Sequence, residues 1–520
     1  MLTRPSDRHC SQVKRTVKEE LLKPRYRDAA VDSVIEEVLS TQGLEAQIRN
    51  SIYLQNLHER SRTGGACGLA SDHAADASSA GGGGTEVRRS SLRAVNDELD
   101  AVVELRLRWG RMLLQNLRKL CEEASQPLMR TRATAESEKW RSKRMPQKCS
   151  FLYEASDLVD AVAQPHSNGS EEVRLPAWGI SPIRVRTPTL QQLRARFADL
   201  ALQERQTGVD DELRGWFDDE RIEEGQRILA NGYTPLLEKY ATRGVPSGLR
   251  ARVWLGLLHL QLGEREYSHF SDLQSEVTRV LLLTDELQKR DAAAPHLEDQ
   301  YFVFVAMVEE ILLCFSRDSQ VYQLSKHPQH STLVARGRDG RHVPFPPSGV
   351  PPFRGQSQYA FPLCFVYAQP QQLYYVYRAL WMRFWSKLHS FSSRPRTLLT
   401  LCLLFEELMQ DNLTDVCTHL MHLDVHPTAI ALPWIISGFA AVLPADQTLL
   451  LWDRVLGFDA LELLPVLAVA IFSYRTKWIL QATNAERVQR IMSNLSSLKV
   501  VPLLQTFLGD AESLTSRQKN

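Results

Sequence analysis

Between Leu449 and Phe472 the chain reads LLLWDRVLGFDALELLPVLAVAIF. Trp452 and Asp453 join one apolar helical stretch to a second that starts near Asp459 and is apolar almost all round. A helix without a polar face must be enclosed, by other helices or by lipid. This one carries Glu462 and Pro465 and falls short of the about 20 apolar residues a bilayer crossing needs. It predicts the central helix of a large, soluble, all-helical domain.

The rest of the C-terminal half has the same period. Apolar residues recur at helical spacing over 247–261, 267–289, 297–316, 371–390, 396–410, 412–423, 428–443, 445–456, 459–481 and 484–496. No alternating run competes with them. The exception is 326–362, dense in Pro and Gly, which reads as a long irregular loop; such loops inside compact domains are uncommon and often functional. Helices at 190–202 and 222–229 lead into this region. Further upstream, Leu99, Val102, Val103, Trp109, Leu113, Leu117 and Leu120 share one face of a helix over 95–124, which needs a partner surface and is weakened locally by Gly110. Val31, Val34, Ile35, Val38 and Leu39 mark a weaker helix. Arg62 to Thr85 is rich in Gly, Ala and Ser, too poor in apolar surface to order itself, and reads as a flexible linker. Val173–Leu175 and Ile183–Val185 read as short strands. The expected division is a weakly helical 1–61, a linker 62–87, an accessory region 88–235, a helical domain 236–510 and a disordered tail 511–520, with an all-α fold class.

Charge gives no global pull toward nucleic acid or anionic lipid: 62 basic residues face 61 acidic ones over 520 positions, for a net charge of +1. The first 28 residues are charged and hold no apolar core of signal-peptide type. None of the eight cysteines forms a Cys-x-x-Cys pair, which fits free thiols in a reducing, cytoplasmic compartment. The chain carries no GxxxxGK[ST] phosphate loop, no HExxH and no Gly-x-Ser-x-Gly elbow, so it does not read as a nucleotide hydrolase by itself.

Three constellations invite chemistry and are better explained by packing. His419, His422 and His426, with Asp424, have the spacing of metal ligands but lie among Leu420, Met421, Leu423 and Val425 at a helix end before Pro427. Tyr374, Tyr375, Tyr377, Trp381, Phe384 and Trp385, with Arg378 and Arg383, offer rings on which single-stranded nucleic acid stacks, yet the chain has no basic excess; they read as core, with the arginines in ion pairs. Asp453 reads as a buried acceptor paired with a cation rather than as a catalytic acid.

One ordered series carries a resemblance. Gly244-Val-Pro-Ser-Gly-Leu-Arg250-Ala-Arg-Val-Trp254, Leu373-Tyr-Tyr-Val-Tyr-Arg378, Arg383-Phe-Trp-Ser-Lys-Leu-His389, Leu401-Cys-Leu-Leu-Phe-Glu406 with His419-Leu420, Pro433-Trp434 with Phe439, and Leu451-Trp452-Asp453-Arg454 run collinearly. Together they resemble the TBC-domain family, whose members activate Rab GTPases, from about Gly244 to Leu508. The resemblance implies a Rab-family small GTPase as partner, no cofactor of the chain's own (GTP and Mg being carried by the GTPase), no nucleic acid, no transmembrane segment, and peripheral recruitment to endomembranes through the partner.

It also implies two functional positions. GTP hydrolysis needs a cation on the phosphate oxygens and a polar group that holds the attacking water, and an inserted arginine is worth about 10³–10⁵ in rate. Family members resemble one another in an Ile-x-x-Asp-x-x-Arg motif and a Tyr-x-Gln, usually followed by Gly. Here the first aligns with Phe315-Ser-Arg-Asp318-Ser-Gln-Val321: the aspartate is kept and a valine stands where the arginine is expected. The second aligns with Pro352-Phe-Arg354-Gly355: the glycine is kept and Arg354 replaces the glutamine. Arg317, one turn before Val321, and Arg354 are the candidate replacement cations; Asp318 and Gly355 are the candidate GTPase-binding positions. The plainer expectation pairs Arg317 with Asp318 or Glu310 at the surface and leaves Arg354 solvated. Tyr367-Ala-Gln369 matches Tyr-x-Gln literally but is followed by Pro370. Two functions stand: a Rab-activating protein with altered fingers, or a module that binds a GTPase or trafficking partner without accelerating hydrolysis.

Overall fold

A computed structural model of the chain describes residues 50, 53, 110–123, 127–141, 187–209, 214–294, 299–324, 334–336, 342–390 and 396–509. The helix around Val31 to Leu39, the 62–87 linker, the Leu99 to Trp109 part of the amphipathic helix, the strands at 173–175 and 183–185 and the 511–520 tail lie outside the described residues. What is described is all-α with two short antiparallel pairs. Met129–Thr131 pairs with Val280–Leu282 in the register Met129 to Leu282, and Val334–Arg336 pairs with His342–Pro344 in the register Val334 to Pro344.

The chain divides into two compact units. Among the described residues, one comprises residues 50, 53, 204–209, 214–259 and 453–459, and the other those of 110–203, 260–452 and 460–509.

In the first unit, helices Arg214–Asn231, Thr234–Thr242 and Ser247–Leu257 surround two buried charges. Asp453 is fully buried. It accepts hydrogen bonds from Arg250 Nε (3.0 Å) and Nη2 (2.9 Å), Trp254 Nε1 (2.8 Å) and the Val245 amide (3.2 Å). This is the acceptor role its sequence context predicts, and four donors are what make a buried carboxylate tolerable. Arg454 is also fully buried and donates through Nη2 to the Thr207 carbonyl (2.8 Å) and Gln206 Oε1 (3.2 Å). Burial draws its pKa down to about 10 although Asp453 opposes the shift. Gly244 lies against that guanidinium. A Cβ there would come within 2.6 Å of Nη2, and its φ of +87° is left-handed, so both space and backbone call for glycine.

The second unit is built on Leu463–Leu480, whose first ten residues are all buried. Leu398–Asn412, Thr414–His422, Pro427–Ile436, Ala485–Ser493 and Val500–Leu508 pack around it. Length and composition alone would let this 18-residue helix cross a membrane, but 61% of it is buried inside the protein, so it is the core helix its missing polar face predicts. The expected start near Asp459 moves to Leu463; Asp459 has a left-handed backbone (φ +45°) that no helix continues through.

Two expected helices are interrupted. The 267–289 stretch is two helices, Glu264–Arg279 and Asp285–Ala292, separated by the strand Val280–Leu282. All three strand residues are buried, and a short continuous apolar run fits a strand as well as a helix until a pairing partner decides it. The 371–390 stretch is Pro370–Leu380, a π-helical turn Trp381–Trp385, then Ser386–Leu388. That wide turn carries Trp381, Phe384 and Trp385 into the interior, Trp385 reaching 4.9 Å from Trp452. The amphipathic helix finds its partner surface in its own chain: Leu113, Leu114, Leu117 and Leu120 form one buried cluster with Val280, Leu282, Leu283 and Phe345.

Candidate functional site

The site grows from the end of Val305–Arg317, where Ile311 to Arg317 are all buried. The helix stops at Asp318, which is extended (φ −73°, ψ 95°) and begins the short Ser319–Leu324 helix by accepting from the Gln320 amide at 2.9 Å. Asp318 is fully buried. Its other oxygen receives the Tyr374 hydroxyl at 2.5 Å and Arg378 Nη1 at 2.9 Å, while His269 Nε2 lies 3.5 Å from the first. Burial pushes the Tyr374 phenol well above its ordinary range, and the Asp318 charge adds to the shift. Burial pulls the Arg378 guanidinium down, but Tyr374 and Asp318 more than offset it and the net shift is upward. The aromatic helix thus packs as core and ties its arginine to the aspartate of the first motif. Asp318 is an interior fastener in this conformation, with no surface to offer a GTPase directly, because its carboxylate is filled by protein donors.

Arg317 takes neither Asp318 nor Glu310. Its side chain is 1% exposed and forks onto Asp285, with Nη2 2.5 Å from Oδ2 and Nη1 bound to Oδ1. Further bonds run to Ser316 Oγ (2.7 Å) and the Val280 carbonyl (3.1 Å). This corrects both surface readings of Arg317, since a guanidinium held in a buried bidentate pair is not presented to a phosphate on another molecule. Val321, at the position where the resemblance places the arginine, is 1% exposed.

Arg354 is placed differently. It is exposed, on a turn that begins after Phe353, whose ring packs 4.3 Å from His389 and 5.8 Å from Trp381. Asp291 braces the turn: Oδ1 accepts from the Gly355 amide (2.5 Å), Oδ2 from the Ser357 amide (2.7 Å), and the Asp291 carbonyl from Ser357 Oγ (3.1 Å). Gly355 is left-handed at φ +91° and its carbonyl accepts from the Gln358 amide at 3.2 Å. Gln356 turns inward, 1% exposed, with Nε2 3.3 Å from the Tyr377 hydroxyl.

One helix therefore organises both motifs. Asp285 and Asp291, six residues apart on Asp285–Ala292, lie about 9 Å apart along its axis. The first takes Arg317, the second takes the turn behind Arg354. Neither aspartate is signalled by the sequence patterns above: each is one acidic residue in a charged run (DELQKRDA). Of the remaining candidates, Tyr367 is buried and exposed Gln369 precedes the Pro370 helix. His419 Nε2 lies 3.0 Å from the Ala482 carbonyl, and among the described residues no group of three or more His, Cys, Asp or Glu is placed to hold a metal.

Fold and site together define an all-helical domain in which Arg250–Asp453, Arg317–Asp285 and Arg378–Asp318 are structural ion pairs and the candidate cation Arg354 stands on a braced turn. Comparison with known proteins places the class. The Rab-GTPase-TBC domain model matches residues 353–480, a segment that begins on that turn. The human protein TBC1 domain family member 19 is 33% identical over 421 residues, which cover 77% of this chain and 80% of that protein. Among solved structures, the Chlamydomonas flagellar RabGAP TBC domain is similar at 13% identity and a TM-score of 0.41, covering 62% of this chain and 96% of that one, a likeness too slight to argue from. The chain belongs to the Rab-GTPase-TBC domain family.

Proposed function

We propose that this protein engages a GTP-loaded Rab-family GTPase and accelerates its hydrolysis through the turn at 353–358, with Arg354 as the cation. The observation that carries this reading is the contrast in exposure: Val321 and Arg317 are interior, whereas Arg354 is exposed on a turn whose backbone Asp291 holds fixed. A cation whose backbone is already in place has less to reorganise when charge develops on the phosphate. GTP and Mg belong to the GTPase, and membrane recruitment follows from the partner it binds.

The test is phosphate release from a panel of GTP-loaded Rabs with the full chain, run beside a pull-down. Acceleration above about tenfold that Arg354→Ala abolishes supports the reading, since an arginine finger is worth about 10³–10⁵. A second reading, binding without acceleration, is favoured by the valine at 321 and by the sequestered Arg317. Pull-down of GTP-loaded Rab with no gain in phosphate release is its signature.

A further inference from the structure

We infer that residues 110–132 form an internal clamp on the Arg354 turn, and that Arg132 is its positioning residue. For hydrolysis this rests on the Rab-activating reading above; for the order of the turn it stands alone. The clamp takes hold in three places. Met129–Thr131 pairs with Val280–Leu282, and the ladder is closed at both ends: the Leu283 amide donates to the Leu128 carbonyl (3.0 Å) and the Arg132 amide to the Arg279 carbonyl (2.8 Å). The Arg132 side chain is the second hold. The residue is 6% exposed, and its Nη1 donates to the carbonyls of Val277, Thr278 (2.9 Å) and Val280 (3.4 Å). Glu264–Arg279 ends there, so the guanidinium satisfies carbonyls that a helix terminus leaves open and meets the negative end of its dipole. The third hold is the buried cluster of Leu113, Leu114, Leu117 and Leu120 with Val280, Leu282, Leu283 and Phe345.

Both supports of the turn leave from these holds. On one side, Val280–Leu282 runs through Leu283 and Thr284 into Asp285–Ala292. The Leu282 amide donates to Asp285 Oδ2 (3.0 Å), and the Val280 carbonyl receives Arg317 Nη2 (3.1 Å) as well as Arg132. The helix that follows carries Asp291, which binds the amides of Gly355 and Ser357. On the other side, Phe345 lies in the leucine cluster upstream of Arg354, and the Ser348 amide fastens that approach to the Ser316 carbonyl (3.1 Å). The segment matched by the domain model, 353–480, contains neither support. A two-stranded pairing of three residues is marginal on its own. Arg132 and the leucine cluster keep it formed, and losing them loosens both supports together.

The test is hydrogen exchange of the full chain, wild type against Arg132→Met and Leu117→Ala. It is followed at the amides of Gly355 and Ser357, over 113–120, and in the core helix Leu463–Leu480. The two variants weaken different holds, so misfolding of one leaves the other. Each is expected to speed exchange at Gly355, Ser357 and 113–120 by at least about tenfold and by similar factors, with the core helix unchanged, since segments that open as one unit share one opening equilibrium. Arg132→Lys, which keeps a charged donor at the helix end, is expected to restore most of the protection. Unchanged exchange at Gly355 and Ser357, whatever happens over 113–120, overturns the inference. Equal acceleration in the core helix also overturns it, because that marks general destabilisation. In single-turnover phosphate release from GTP-loaded Rabs, the same variants are expected to lower the maximal rate at least about tenfold with the half-saturating concentration unchanged. An unchanged rate despite a loosened turn overturns the hydrolytic half and leaves the clamp standing. If the wild-type chain accelerates no Rab, the Rab-activating reading falls and exchange alone decides the clamp.

Discussion

Arg317 and the turn carrying Arg354 are fastened near opposite ends of the same helix, Asp285–Ala292, and they meet opposite fates. At one end Asp285 receives the guanidinium itself and draws it inside. At the other, Asp291 receives backbone amides and leaves the neighbouring guanidinium outside. The same residue type within the same element is therefore structure in one place and available charge in the other. An arginine's usefulness to a partner depends on what the nearest carboxylate binds, the head group or the chain that presents it.

The strongest way to break this contrast is Asp285→Ala. It leaves Arg317 buried without its counter-charge, and the expected loss is about 3–5 kcal/mol in a urea titration of the full chain. Pairing it with Arg317→Met is expected to restore most of that loss, because replacing a whole buried ion pair by apolar groups is far milder than halving it. A fully additive loss in the double variant would show that the pair is not the source. Asp291→Ala is expected to cost less, about 1–3 kcal/mol, since it strips the acceptor from one buried and one half-buried amide. Hydrogen exchange should then rise at Gly355 and Ser357 and stay unchanged at Arg317. Gly355→Ala forces a left-handed backbone on a Cβ and crowds Gln358, an expected loss of about 1–2 kcal/mol by thermal melting. The smallest structural effect belongs to Arg354→Ala, which should leave the melting temperature in place because the side chain is exposed. A clear drop in melting temperature would mean that Arg354 is held as Arg317 is, and would remove the contrast.

How far the sequence leads differs from one element to the next. Helical spacing located the Leu463–Leu480 core helix and the neighbours that bury it, because a 3.6-residue period is a local property. It misread Val280–Leu282 as helix, because a three-residue buried strand has no pattern of its own and exists through its pairing with Met129–Thr131, about 150 residues away. The unpaired face of the 95–124 helix was legible, and its described part is covered by Val280, Leu282, Leu283 and Phe345. In the site, the candidate cations were legible and their accessibility was not. Arg317 and Arg354 are equally charged in the sequence, and nothing within a few residues of either names Asp285 or Asp291.

By itself, then, the sequence determined the helical class, the central helix, the family to which the chain belongs and the candidate cations at 317 and 354. These depend on residue identity and on order along the chain. Only the tertiary structure decided which cation is enclosed and which is presented, that Asp318 and Asp453 are interior acceptors, and that Gln358 rests over Gly355. Those outcomes depend on carboxylates and amides brought together from distant positions, and burial, unlike charge, is a property of the neighbours rather than of the residue.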